Sequence, residues 1–122
     1  MQFDNSSPIW LQLVDESIRR VVTGRWPPGG RIPVVRDLAV ELGVNPNTVQ
    51  RAMAELDRMG VTIADRTRGR CVTEDLSRIE ELREEIAAAR TDDFVGWARG
   101  VGLSLAAVTE LLEARWRAME GE

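Results

Sequence analysis

The chain has no histidine, no lysine, a single cysteine and no long apolar run. Without histidine the usual zinc and copper ligand sets cannot be assembled, and neither a Ser-His nor a Cys-His nucleophile pair can form. The lone Cys71 excludes an internal disulfide. No glycine-rich phosphate loop of recognised spacing occurs either. These absences argue against an enzyme, a cofactor or a metal centre. No stretch approaches the roughly 18 apolar residues of a membrane span, and "MQFDNSSPIW" lacks a basic region followed by an apolar core. A cytoplasmic protein with no membrane partner is the expectation.

What is present is 122 residues, enough for one compact domain or two small units sharing a core, with little room for a ligand cavity. The net charge of -4 looks wrong for a nucleic-acid protein until it is divided. Residues 1 to 76 hold ten arginines and ten acids, so the whole excess lies in residues 77 to 122. Every basic residue is arginine, whose planar fork of donors suits phosphate and guanine. A local basic stripe therefore matters more than the total. Paired acids such as Glu84 and Glu85, or Asp92 and Asp93, sit in strongly helical sequence and read as solvated faces or a negative first turn.

Helical spacing organises the first half. Ser7 followed by Pro8 reads as a capping residue and a first-turn proline, and Leu11, Val14, Ile18, Val21 and Val22 then recur up to Gly24. "RWPPGGRIP" forces a turn-rich connection. A short helix runs from about Val34 to Leu42 and stops at Gly43; Asn45 and Pro46 start another that continues to about Met59 and ends at Gly60. Two short helices joined by a tight glycine-containing turn are the sequence form of a helix-turn-helix. "VTIADRTRGRCVTED" then reads as a two-stranded hairpin turning near Thr67 to Gly69.

The fold class is therefore mainly α: a winged helix-turn-helix of three helices plus a β-hairpin wing over residues 1 to 74, then a small helical dimerisation unit over 75 to 122. In that tail one amphipathic helix is expected to about Arg90, a second capped by Thr91 and ended by "GVG", and a last one capped by Ser104. Three helices in about 47 residues bury little alone. Their apolar residues, with Leu82, Ile86, Phe94, Trp97, Val108, Leu112 and Trp116 the candidates, point to packing against a second copy. No polar cluster in the tail marks an effector site, so the sequence names no small-molecule inducer.

Candidate DNA contacts follow from chemistry. Asn45 is first an N-cap. Asn47 and Thr48 lie in the following turn, whose free N–H groups attract phosphate. Gln50 can pair two hydrogen bonds with adenine in the major groove and is the first choice for a base reader. Arg51 can reach phosphate, with an ion pair to Glu55 as an equal competitor. Arg66, Arg68 and Arg70 place three positive charges at the hairpin, diluted by Asp65, and suit minor-groove or backbone contacts. Arg36, early in the second helix, suits a phosphate beside the groove. Cys71 reads as a small buried side chain.

The stretch "RIPVVRDLAVELGVNPNTVQRAMAELDRMGV", with "PIWLQL" and "PPGGRIP" ahead of it, resembles the GntR family of bacterial transcription regulators. The short helical tail and the "NPNT" wording are similar to the YtrA-type subfamily. The resemblance implies a homodimeric repressor of its own operon, often beside a transporter operon, on a two-fold related double-stranded operator ending in GT and AC. It also implies DNA contacts at Arg36, Asn45, Asn47, Thr48 and Gln50 and at the wing tip around Arg68 and Gly69. Pro46 and Gln50 replace arginines frequent in relatives, so a different base preference follows. The wing reads Thr67-Arg68-Gly69-Arg70-Cys71-Val72 where Gly-Lys-Gly-Thr-Phe-Val is common, and the lost first glycine should stiffen the tip. The alternative is a protein-interaction module on a winged-helix scaffold, favoured by Pro46, Gln50, Asp65 and the neutral first part.

Overall fold

The computed structural model describes residues 1–121, with five helices and one two-stranded antiparallel sheet among them. Helix α1 (Ile9–Val22) starts behind Pro8, which itself holds the N-cap position. The cap expected from Ser7 is not made. Instead Gln12 reaches back from within the helix: its Nε2 donates to the Ser7 carbonyl at 2.7 Å and to the Asp4 carbonyl at 2.9 Å. The buried face carries Leu13, Val14, Ile18 and Val21, whereas Leu11 stays exposed.

Helices α2 (Val35–Leu42) and α3 (Pro46–Arg58) are joined as the sequence predicts. Gly43 turns between them at φ +66°, a left-handed conformation that costs other L-residues roughly 1–2 kcal/mol. Asn45 caps α3, its side-chain oxygen accepting from the Asn47 N–H at 2.8 Å, with Pro46 at the first helical position. Val49, Ala52, Met53 and Leu56 form the inner face of α3 with no exposed surface, and this face packs on α1 and α2.

Strands β1 (Thr62–Asp65) and β2 (Gly69–Val72) pair from Thr62↔Val72 to Asp65↔Gly69. The connection before α2 supplies a further edge. Arg31 bridges Cys71, Ile32 N–H donates to the Arg70 carbonyl at 3.0 Å, and Val72 N–H donates to the Gly30 carbonyl at 2.9 Å. A bridge of this length leaves no alternation in sequence, so only a turn-rich connection is legible there.

Helix α4 (Leu76–Gly100) is one helix of 25 residues, not two. The break expected at Thr91 is absent because neither glycine nor proline stands there, and the Thr91 hydroxyl bonds inside the helix, donating to the Ala87 carbonyl at 2.7 Å. Asp92 and Asp93 consequently lie in mid-helix, exposed, rather than in a first turn. Helix α5 (Leu105–Glu120) begins as expected: the Ser104 hydroxyl accepts from the Ala107 N–H at 3.1 Å.

Contacts divide the chain into Met1–Arg83 and Glu84–Glu122, with α4 passing through the division. In the first unit Ile79 and Leu82 are buried. Leu82, expected on a dimer face, packs here into this unit's core. Arg78 Nε donates to the Met59 carbonyl at 3.0 Å and an Arg83 terminal nitrogen to the Val22 carbonyl at 2.7 Å. These two arginines take up carbonyls left open at the C-terminal ends of α3 and α1. Among the described residues no helix is long and apolar enough to cross a membrane.

Candidate nucleic-acid interface

Opposite its buried face, α3 presents a narrow outward stripe. Asn47, Gln50, Arg51, Ala54 and Arg58 are all exposed and recur at helical spacing within about 100° of arc. Thr48 lies at its margin, half-buried. Ala54 was not singled out by sequence reasoning. Its small side chain lies between Gln50 and Arg58 on the exposed face, and only the inward placement of its neighbours makes that visible.

The side chains on and around the stripe differ in what they are free to do. The Asn45 carboxamide oxygen is spent on the cap. Asn47 and Gln50 make no side-chain hydrogen bond among the described residues, which leaves their donors and acceptors open. Arg51 does not pair with Glu55. That carboxylate is taken by Arg58, whose Nε donates to it at 2.9 Å, and the pairing lowers the Glu55 pKa and raises that of Arg58. The Arg51 guanidinium instead lies over the ring of Trp10, 4.2 Å from its centroid. Arg36 on α2 is exposed with no ion-pair partner among the described residues.

The wing is organised by Asp65. Its carboxylate accepts from the Thr67 N–H at 2.8 Å, the Thr67 hydroxyl at 2.8 Å and the Arg68 N–H at 3.1 Å. The backbone bond from Thr67 is the largest cause of the lowered Asp65 pKa. This Asx-type turn closes the tip with Thr67 and Arg68 ahead of Gly69, which has left-handed geometry at φ +84°. Asp65 is thus the hinge pin of the tip, a role that charge counting along the sequence hides.

The three wing arginines have separate fates. Arg70 forms a two-point bridge to Asp57 at 3.0 and 2.9 Å, and the same carboxylate accepts from the Thr62 hydroxyl at 2.5 Å. Arg68 folds back to donate to the Gly29 carbonyl at 2.7 Å. Arg66 is exposed and has no protein partner among the described residues. Arg31 joins the wing from the proline-rich connection, its Nε about 3.8 Å from where a Cβ on Gly69 would stand. Sequence reasoning missed Arg31 because its place beside the wing depends on the bridge to Cys71. Cys71 itself is buried, as its neighbours in the strand imply.

Within the second unit the apolar side chains are mostly uncovered. Phe94, Trp97, Leu112 and Trp116 are exposed, Ile86 and Val108 are half-buried, and α5 has no buried residue. The Phe94 and Trp97 rings stand 6.2 Å apart. Val95, Ala98, Leu103, Leu105 and Val108, with Arg99 and Ser104, line a mainly apolar groove of about 260 Å³. That is smaller than the roughly 300–1,000 Å³ typical of ligand pockets.

The chain matches the family model described as bacterial regulatory proteins, gntR family, over residues 11–72. It is 34% identical over 103 residues to the uncharacterized HTH-type transcriptional regulator YhcF of Bacillus subtilis, covering 84% of this chain and 85% of that protein. It is 37% identical over 70 residues to the HTH-type transcriptional repressor YtrA of the same organism, covering 57% and 54% of the two chains. Among solved structures, a GntR family transcriptional regulator from Listeria monocytogenes superposes with a TM-score of 0.86 at 36% identity, covering 92% of this chain and 98% of that one.

Proposed function

Because the chain belongs to the GntR family of bacterial regulatory proteins, with YtrA-like relatives, we propose that it is a homodimeric cytoplasmic repressor of its own operon. Two copies of α3 enter successive major grooves of a two-fold related operator, with half-sites about one helical turn, roughly 34 to 36 Å, apart. Asn47 and Thr48 meet phosphate, Gln50 reads a base edge, Arg36 and Arg51 flank the groove, and the wing with Arg66 and Gly69 lies along the backbone. The exposed faces carrying Phe94, Trp97, Leu112 and Trp116 hold the two copies together, with Ile86 and Val108 at their edges. An adjacent transporter operon is the expected second target.

The observation that carries this reading is the outward stripe of α3, whose Asn47 and Gln50 have no side-chain partner in the protein while the opposite face is fully buried. A stripe of open amides and an arginine at the start of a rigid helix matches the chemistry of a major groove. Dimerisation is supported by a second unit with no core of its own beyond Ala98 among the described residues. The test is a gel shift with DNA from upstream of the chain's own gene. A retarded band that weakens steeply with salt is expected. A folded protein that retards no fragment of its native locus overturns DNA binding and favours a protein-interaction module.

A further inference from the structure

We infer that Trp10, at the start of α1, is a positioning residue for DNA binding: it holds the Arg51 guanidinium flat, so that its N–H edge meets a backbone phosphate beside the major groove. This rests on the DNA-binding reading above and adds a residue outside the helix-turn-helix to it. The Arg51 Cζ stands 4.2 Å from the centroid of the Trp10 ring, and Arg51 sits in the exposed stripe between Gln50 and Ala54. The contact engages the ring face, and no protein acceptor among the described residues takes an Arg51 N–H, so its donors stay open.

The same unit contains a second arginine over a tryptophan, and the contrast assigns the role. Arg20 lies 5.2 Å from the centroid of the Trp26 ring, but it is buried, its Nε donates to Glu16 at 3.0 Å and its guanidinium pairs with the Glu41 carboxylate at 3.6 Å. That stack is closed and serves the packing of α1. Arg51 has the stack without the carboxylates: Glu55 is bound to Arg58, and among the described residues no other acid or carbonyl accepts from Arg51. Trp10 is half-buried, and its indole N–H has no acceptor among the described residues. An arginine fixed in orientation but left with open donors on an exposed face is prepared for an external acceptor.

The stack also chooses the acceptor. It draws the guanidinium from α3 toward α1, to the flank of the stripe, where a docked duplex carries phosphates rather than base edges. The geometry thus gives Arg51 a sequence-independent contact and leaves base reading to Gln50.

The experiment is fluorescence anisotropy of the full chain on a duplex from upstream of its own gene, over a series of salt concentrations. Arg51→Ala should reduce the slope of log affinity against log salt by about one. Trp10→Leu should weaken binding about 2- to 5-fold, the range of an exposed cation–π contact, and Trp10→Phe should recover most of that loss. In an Arg51→Ala background, Trp10→Leu should cost nothing further. An equal loss from Trp10→Leu with or without Arg51 overturns the positioning role, and so does an Arg51→Ala protein with the wild-type slope. Should Trp10→Leu fail to fold, Arg51→Lys carries the test. It keeps the charge and hence the slope but loses affinity, because an ammonium has no plane to stack, and wild-type affinity overturns the proposal. Failure of the folded wild type to bind any such duplex sinks the DNA-binding reading itself, which is a different outcome from failure of the Arg51 arm alone.

Discussion

Gln50 stands on the outward stripe of α3 one turn after the Asn45 cap, held in place by Val49 and Met53 on the buried face beside it. A carboxamide offers one donor and one acceptor side by side, the pattern that adenine presents in the major groove. Gln50→Ala should therefore cost about 1–3 kcal/mol on the operator that contains its base pair and little on one with that pair substituted. A uniform loss over all sequences would remove the base-reading role. For the wing arginines, residue type is a poor guide and committed partners a better one. Arg70→Ala strips Asp57 of its bridge while leaving Thr62 on the same carboxylate, so its effect should appear as a lower melting temperature with a nearly unchanged salt slope. Arg66→Ala should do the reverse, lowering the salt slope by about one at constant stability. If Arg70→Ala changes only the salt slope, the assignment of the two residues is inverted.

The wing tip shows how an element depends on one carboxylate. Asp65 has a pKa below its ordinary value of 3.8, chiefly through the Thr67 N–H, so the turn is favoured by the ionised form. Its contribution is complete above the ordinary value and is lost as the pH falls through the lower folded value. In an NMR titration the Thr67 amide should keep its hydrogen-bonded shift at neutral pH and move with a midpoint below 3.8. A midpoint at or above that value would show that the carboxylate does not hold the tip. Elements with local signals were legible beforehand. Asn45, Pro46 and Gly43 mark the helix-turn-helix, and Ser104 marks the start of α5, because caps and left-handed glycines act within a few residues. Thr91 was misleading for a related reason: a threonine caps where the chain enters a helix, but inside one it bonds to the carbonyl four residues back. The local mark of the second case at Arg90 and Thr91 is only negative, the lack of a glycine or proline to end the first helix. The edge at Arg31, the Arg70 bridge and the Trp10 stack join residues 13 to 41 positions apart, and no periodicity carries such pairings.

At the scale of the molecule the two units bury themselves very differently. The first has a closed core from Leu13 to Leu82, whereas the second leaves Trp97, Leu112, Trp116 and Met119 more than half exposed, with Ala98 alone buried among its described residues. Apolar surface removed from water is worth about 25 cal/mol per Å², and a small helical unit that forgoes it is completed by a partner. The expected partner is a second copy, because an operator of two related half-sites is read by a two-fold dimer. In sedimentation at micromolar concentration the protein should run at twice the 13.6 kDa chain mass. Trp116→Glu places a charge on the exposed face of α5 and should shift the equilibrium to monomer without disturbing the melting of the first unit, whose core contains no residue of α5. Affinity for the two-half-site duplex should then collapse toward that for a single half-site, since the second contact is no longer made at the high effective concentration the dimer supplies. A wild type that sediments as a monomer would remove this account of the tail. A Trp116→Glu protein that still dimerises would move the interface to the Phe94 and Trp97 face of α4.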